Sequence, residues 1–143
     1  MLDTNVVVSG LLWAGRPAEL LRTAVTLPVR FVASEQLLLE LRQSLGKPKF
    51  AKQIAKMGLT VKEHAENYRS LVELVTHGGL TSPVSRDPDD DLILACALAA
   101  NADLIATGDD DLLVLGAWQG IPILKVRECL ELITVSMNGG LRD

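Results

Sequence analysis

The longest apolar stretch in this chain is an unbroken run of nine residues, 92–100. A helix made from such a run has no polar face, so nearly all of its surface must be buried. Asn101 separates the run from residues 102–106, a short and mostly apolar segment that is typical of a strand inside a sheet. The pattern therefore predicts a buried helix followed directly by a buried strand.

Other segments show the spacing of amphipathic helices, with apolar residues three or four positions apart. This spacing predicts helices over residues 17–25, 62–75 and 125–133. Ser34 is a good N-cap for a further helix. The apolar stripe of that helix consists of Leu37, Leu38, Leu41 and Leu45.

Short β-prone runs, residues 30–33 and 121–124, lie between the helical segments. This alternation predicts a three-layer α/β/α fold with a central parallel sheet of about four to five strands. A length of 143 residues suits one domain, which we assign to residues 1–135. Residues 136–143 have no periodicity, and we expect them to form a mobile tail.

Two groups of aspartates flank the buried helix and strand. They are Asp87, Asp89, Asp90 and Asp91 before the helix, and Asp109, Asp110 and Asp111 after the strand. Helix capping explains Asp87, which precedes Pro88, and at most one more of these acids. Carboxylates gathered at the edge of a core repel one another, and a bound cation relieves that repulsion. The two groups together predict a metal site.

Two acids elsewhere in the chain are placed to join this site. Asp3 suits the carboxyl end of a first strand, where open α/β sheets place ligand groups. Glu40 borders the apolar stripe of its helix, so its carboxylate can reach into a cleft. Taken alone, Asp3 would be interpreted as a turn or helix-cap residue and Glu40 as an ordinary boundary glutamate. Oxygen donors without a histidine or cysteine cluster favour Mg²⁺ or Mn²⁺ over zinc.

A basic stretch follows Glu40. Residues 42–56 hold five cations and no acid, and Lys49, Lys52 and Lys56 fall at helical spacings of three and four. Such a stripe is either a solvated helix face or a surface that follows the phosphates of RNA. The net charge of the whole chain is −4, which excludes a general basic coat but not a local basic patch.

Composition narrows the class of protein further. Aromatic residues make up 3% of the chain and hydrophobic residues 48%, which favours an aliphatic core. Cys96 and Cys129 lack the spacing of a zinc or redox motif, so we interpret them as core thiols in a reducing compartment. His64 and His77 have polar neighbours, and we expect both on the surface. No segment has the pattern of a membrane span or signal peptide, which predicts a soluble, cytoplasmic protein.

The combination of these features resembles the PIN domain family, in particular its bacterial branch of toxin components from toxin–antitoxin pairs. The resemblance rests on Asp3-Thr4-Asn5, on Glu40, and on the run DPDDDLILACALAANADLIATGDDDL with its Thr107-Gly108-Asp109. It extends over nearly the whole chain, to about residue 133. Each motif is short, but their order and spacing together are specific.

The resemblance implies a metal-dependent ribonuclease with an acidic pocket. The acids matched to its catalytic and metal-binding positions are Asp3, Glu40, Asp91 and Asp109. Asp91 is matched because the sequence Leu-Ile-Leu-Ala-Cys-Ala after it keeps the family's register. Residues that would support the pocket are Asn5, Thr107, Asp90 and Asp111. The residues that would hold the RNA strand are Lys49, Lys52 and Lys56.

The resemblance also implies Mg²⁺ or Mn²⁺ as cofactor, RNA as substrate, and products with 5′-phosphate and 3′-hydroxyl ends. Relatives of the toxin type often pair with an antitoxin protein and form homodimers, and we expect both here. One departure is that only Met1 and Leu2 precede Asp3, whereas family members have more apolar residues there. Either the first strand is unusually short, or the natural chain begins further upstream.

Other proteins with acidic pockets on parallel sheets fit the chain less well. A phospho-accepting receiver domain needs a central aspartate, and no aspartate occurs between Asp3 and Asp87. A phosphatase of the haloacid dehalogenase type needs a second aspartate two residues after the first, where Asn5 stands. A PIN-like module that binds RNA or a partner protein without cutting remains the alternative to a ribonuclease.

Overall fold

Helices and short strands alternate along the chain, which confirms the α/β class. The computed structural model describes residues 1–80 and 83–142, with residues 138–142 described by their backbone alone. Its elements are α1 Thr4–Leu12, α2 Arg16–Thr26, β1 Phe31–Ala33, α3 Glu35–Leu45, α4 Ala51–Met57, α5 Val61–Arg69, β2 Val72–Leu74, α6 Pro88–Ala99, β3 Ile105–Ala106, α7 Asp110–Leu113, β4 Ala117–Trp118, β5 Ile121–Leu124 and α8 Val126–Arg142. A 3₁₀ turn, Pro48–Phe50, leads directly into α4.

The strands form two small sheets. β1 and β2 pair in parallel, with Val32 opposite Glu73. In the other sheet β3 pairs in parallel with β5, and β4 joins β5 in antiparallel orientation. Leu2 adds a single parallel bridge to Ala106 of β3, and the chain turns into α1 at Thr4 directly afterwards. Within the described residues, two small sheets therefore take the place of the single four- to five-stranded parallel sheet that the sequence predicts.

Two apolar clusters fill the interior. The first includes the bridge residue Leu2 and, from α1, Val6, which cluster with the strand residues Phe31 and Ala106. The second is built around α6, whose residues 93–97 are all buried. The acidic first turn of α6 therefore lies where this second cluster reaches the surface.

Local signals in the sequence position several elements correctly. The Ser34 side chain accepts a hydrogen bond from the Leu37 N–H across 3.2 Å, so Ser34 is the N-cap of α3. The four leucines of the predicted stripe are buried. Cys96 and Cys129 are buried free thiols, as predicted.

Among the described residues, none of the helices has both the length and the apolar character that crossing a bilayer requires.

Three expectations about individual segments differ from the structure. The helix predicted over residues 62–75 ends at Arg69, because the segment after it pairs with β1 as strand β2. His64 is not on the surface but only 2% exposed, because it shares the inner face of α5 with Tyr68, four residues further on. The backbone of residues 136–142 continues α8, where the sequence predicts no regular element; the mobility of this tail stays a prediction.

Candidate metal centre

Asp3 and Asp109 follow two chain segments that pair with each other. Asp3 follows the bridge residue Leu2, and Asp109 follows β3, so both lie at the carboxyl ends of paired parallel segments. The Thr107 hydroxyl donates a hydrogen bond to Asp3 Oδ2 across 2.6 Å. Thr107 Oγ1 also accepts a hydrogen bond from the backbone N–H of Asp109 across 3.0 Å. The structure thus places Thr107 as a link between two acids that the sequence assigns to one pocket.

The start of α6 adds two more carboxylates. One carboxylate oxygen from each of Asp87, Asp90 and Asp109 lies within 4.8 Å of the other two, which is about twice a metal–oxygen distance. Asp87 is exposed and also caps α6, since its carboxylate accepts the Asp89 N–H across 2.9 Å. Asp90 is only 3% exposed. These three carboxylates form the part of the site best suited to hold a metal ion.

The side chain of Asp91 lies against the segment that precedes α6. Its Oδ1 atom accepts the backbone N–H groups of Val84 and Ser85, across 3.2 and 2.9 Å. Asp90, one position earlier, accepts the Ser85 hydroxyl across 3.0 Å and faces Asp109. The geometry therefore favours Asp90 over Asp91 for the metal-binding role that the sequence assigns to Asp91.

Glu40 belongs to the same group of acids. Its Oε2 atom is buried and has no hydrogen-bond partner among the described residues. Burial raises the pKa of Glu40 to about 7. The charge of Asp89 adds to this rise in pKa, as do the charges of Asp3 and Asp87, while the Thr4 hydroxyl opposes it. A buried carboxylate oxygen without a donor, surrounded by other acids, fits a cation at this position.

The pKa values of Asp3 and Asp90 are also raised. Burial raises the pKa of Asp3, while the hydrogen bond from Thr107 opposes that rise. Burial also raises the pKa of Asp90 to about 7, and the adjacent Asp109 side chain acts in the same direction. This is the behaviour of carboxyl groups that face one another in a partly buried site without a counter-ion.

The other residues predicted to support the pocket lie at its rim. Asn5 is exposed in the first turn of α1, and its backbone N–H, rather than its amide side chain, acts on Asp3. Asp111 donates its backbone N–H to Asp109 Oδ1 across 2.8 Å. The Asp111 carboxylate pairs with Arg86 Nη2 at 2.7 Å, so its negative charge is largely offset.

The lysines predicted to contact RNA lie beyond the end of α3. Lys49 belongs to the 3₁₀ turn, and Lys52 and Lys56 belong to α4. All three are exposed, whereas Ile54 of α4 is buried against the core. The helix thus has a basic side and an apolar side, as the spacing predicts, and contact with RNA stays a prediction.

The sequence does not predict that Asp87 and Asp90 lie close to Asp109. In the sequence Asp87 is explained as a helix cap before Pro88, and the register of the resemblance gives the metal-binding position to Asp91 and leaves Asp90 as support. The useful signal is the N-cap position itself, which aims the Asp87 carboxylate back at the first turn, where Asp90 also lies. All donors in the group are carboxylate oxygens, and such a set fits a hard divalent cation.

Comparison with known protein families matches residues 1–111 to the PIN domain. This range contains every acid of the site described above. Searches of curated proteins and of solved structures return no match. PIN domains are generally metal-dependent nucleases, and a cluster of three aspartates fits that activity. Because the match spans 111 of its 143 residues, the chain belongs to the PIN domain family.

Proposed function

We propose that this protein is a metal-dependent endoribonuclease and the toxin component of a toxin–antitoxin pair. The observation that carries the proposal is the approach of Asp87, Asp90 and Asp109 to within 4.8 Å, beside the buried Glu40 oxygen that has no partner among the described residues. Family membership supports nuclease chemistry. RNA as the substrate and the role as a toxin rest on the resemblance of the acidic motifs to the bacterial branch of that family.

The ion that we propose is Mg²⁺ or Mn²⁺, because carboxylate oxygens suit both ions. Asp90 and Asp109 would hold it directly or through water, with Asp87 and Asp3 beside them. When bound, such an ion neutralises phosphate charge and lowers the pKa of water in the site. The acids must ionise to hold the ion, so its binding offsets the repulsion that their crowding creates.

Glu40 is the residue that we assign to the proton of the attacking water. In the metal-free protein the pKa of Glu40 is about 7, and a carboxylate that takes up a proton near neutral pH suits the role of a general base. The proton would pass to Oε2, the buried atom that has no hydrogen-bond partner among the described residues. Thr107 would hold Asp3 in the orientation that the site needs, and Asp111 would do the same for Asp109 through its N–H.

The chain also offers a basic surface for the RNA strand. Lys49, Lys52 and Lys56 are exposed in the segment that directly follows α3, the helix that carries Glu40. Their ammonium groups would contact phosphates on one side of the scissile bond. By the same resemblance, we propose a cytoplasmic homodimer that an antitoxin protein binds.

Incubation of the purified protein with a labelled single-stranded RNA in Mn²⁺, Mg²⁺ or EDTA tests this function. We expect cleavage with either ion, 5′-phosphate and 3′-hydroxyl ends, and no cleavage in EDTA. Asp109→Asn should bind the RNA without cutting it. Asp103→Asn is the matched control, because Asp103 is exposed and lies outside the acid group.

Two results would overturn the proposal. Cleavage by Asp109→Asn at the wild-type rate would show that the acid group is not the active site. RNA binding by wild-type protein without cleavage in any divalent ion would identify a PIN domain that only binds RNA.

A further inference from the structure

Two aromatic side chains meet at the protein surface just beyond the end of α1. The rings of Trp13 and Phe50 lie 6.0 Å apart between centroids, with an angle of 64° between their planes. This is an edge-to-face arrangement. Lys49 Nζ lies 5.1 Å from the centroid of the Phe50 ring. Trp13 remains 46% exposed, so a large part of its indole ring is open to solvent.

Core packing does not explain the exposed position of Trp13. The chain has five aromatic residues, and of these Phe31 and Tyr68 are buried, while Trp118 packs partly against the second apolar cluster. Proteins that bind single-stranded nucleic acid use exposed aromatic rings near cationic side chains to stack on bases, and here Phe50 lies between the Trp13 indole and Lys49. Trp13 packs against Phe50 on one side and leaves the rest of its side chain available for a ligand.

The surface around Trp13 is held in place by the rest of the fold. The Gln53 side chain of α4 donates a hydrogen bond to the Leu12 carbonyl at the end of α1, across 2.6 Å. Phe50 is partly buried against the first apolar cluster. A surface fixed in this way loses little conformational freedom when a ligand binds.

The charge around Trp13 points to a polyanion. The basic stretch of residues 42–56 carries five cations, and none of them pairs with a carboxylate among the described residues. The cations that do form such pairs are Arg30, Lys62, Arg69, Arg86 and Arg127. Lysines without a carboxylate partner, in the segment that packs against an open indole through Phe50, are complementary to a ligand that has both phosphates and planar rings. Single-stranded nucleic acid is such a ligand, whereas the bases of a duplex are already stacked and paired.

We propose that Trp13 stacks on one unpaired base of the RNA strand while Lys49 contacts the adjacent phosphate. The identity of the strand as substrate rests on the proposed ribonuclease function. α1 begins next to Asp3 and ends next to Trp13, a separation of about 15 Å at about 1.5 Å per residue. A stacked strand that runs along α1 at about 3.4 Å per nucleotide would place this subsite about four nucleotides from the acids. It would select single-stranded RNA over duplex RNA.

Fluorescence anisotropy in EDTA tests the subsite without any cleavage. One probe is a labelled single-stranded RNA about ten nucleotides long, and the other is an abasic strand of the same length. Trp13→Ala should weaken binding of the base-bearing probe about tenfold and leave the abasic probe unaffected. Trp13→Phe should keep most of the affinity, and Lys49→Ala should weaken both probes. Val25→Ala is the matched control, because Val25 is an exposed apolar residue on α2.

Two results would overturn the subsite. One is that Trp13→Ala binds the base-bearing probe as tightly as the wild type does. The other is that Trp13→Ala loses the same amount of affinity for the base-bearing and the abasic probe. A dimer that dissociates in Trp13→Ala with unchanged RNA affinity would show that this surface binds protein instead. If Trp13→Ala does not fold, Trp13 fluorescence is measured in a Trp118→Phe variant, where Trp13 is the remaining tryptophan. Quenching by the base-bearing probe but not by the abasic probe would support the subsite, and equal quenching or none would overturn it. Binding that follows the expected pattern in a protein that cleaves no RNA would reject the ribonuclease function and keep the subsite.

Discussion

Thr107 donates a hydrogen bond to Asp3 across 2.6 Å, and this contact joins side chains 104 positions apart in the chain. Both residues are buried, and the Thr107 oxygen also accepts the N–H of Asp109. A single hydroxyl therefore orients two acids that come from opposite ends of the domain. Burial raises the pKa of Asp3, and the donated hydrogen bond, together with the backbone N–H groups of Asn5 and Thr4, favours its charged form.

Thr107→Val removes this hydroxyl while nearly keeping the size of the side chain. We expect the free energy of unfolding to fall by about 1–3 kcal/mol, because the Asp3 carboxylate and the Asp109 N–H both lose a buried partner. We expect the affinity for Mn²⁺ to fall by about 10–100-fold, as for other residues that orient metal ligands. Urea unfolding and Mn²⁺ titration measure the two effects. Thr107→Ser keeps the hydroxyl and serves as control, and equal Mn²⁺ affinity in valine and serine variants would contradict an orienting role.

Substitutions at Asp90 and Asp91 distinguish the two adjacent acids of α6. Asp90→Asn removes a charge that burial and Asp109 disfavour, so the metal-free protein should become more stable. Cleavage in Mn²⁺ should fall to the level seen in EDTA. Asp91→Asn keeps the Oδ1 acceptor used by Val84 and Ser85, so its stability and cleavage should stay near wild type. Thermal unfolding in EDTA measures the stability of each variant, and single-turnover assays measure its cleavage rate. Loss of cleavage in Asp91→Asn with normal cleavage in Asp90→Asn would assign the metal-binding role to Asp91.

The convergence of Asp3, Glu40 and Asp109 could be predicted from the sequence. Two of them follow strand-like segments, and the carboxyl ends of parallel strands meet at one edge of a sheet. Glu40 stands at the border of an apolar stripe, which aims its side chain along the rim of the core. In the structure Asp3 raises the pKa of Glu40, and Asp109 raises that of Asp3, so the three share one electrostatic environment.

The choice between Asp90 and Asp91 could not be made from the sequence. A shift of one residue turns a side chain by about 100° around a helix, and periodicity normally shows which position faces inward. The residues that follow in α6 are apolar in an unbroken run, so no side of the helix is marked as the outer one. In the structure, Asp90 faces the site because it contacts Ser85 and Asp109. Both of these residues lie outside α6, so the pattern within the helix does not show the contact.

Strand β2 illustrates the same limit for the fold. Residues 62–75 carry a helical apolar pattern throughout, yet only the part up to Arg69 is helical. Val72–Leu74 becomes a strand because β1 offers an edge to pair with, and this contact is not local in the sequence. His64 is likewise buried in the folded protein, although its sequence neighbours are polar.

Glu40→Gln tests whether Glu40 accepts a proton or holds the metal. The substitution keeps the shape of the side chain but removes its basicity, so cleavage should fall by about 10²–10⁴-fold. Mn²⁺ affinity should change far less than in Asp109→Asn, and the metal-free protein should gain stability because a disfavoured charge is gone. Cleavage rates and Mn²⁺ titrations give the comparison, with Glu19→Gln on the exposed side of α2 as control. If Glu40→Gln loses as much Mn²⁺ affinity as Asp109→Asn, Glu40 is a metal ligand and not the base.

The stability of the metal-free protein should depend on pH through Asp90 and Glu40. In the folded protein burial raises the pKa of each to about 7, whereas such groups titrate near about 4 in an unfolded chain. Between these values the folded state keeps protons that the unfolded chain has released, so the free energy of unfolding falls as pH rises. This contribution to stability is present in full below about pH 4 and is lost as pH passes through about 7.

Two other buried groups act in the opposite direction, so the measurement is a comparison of variants. Burial lowers the pKa of His64 and of the Met1 amine, and their contribution to stability increases as pH rises. The double variant Asp90→Asn/Glu40→Gln keeps both of these groups. In urea unfolding with EDTA, its stability relative to wild type should therefore grow between about pH 5 and about pH 8. A constant difference would show that the two acids ionise as readily in the folded protein as in the unfolded chain.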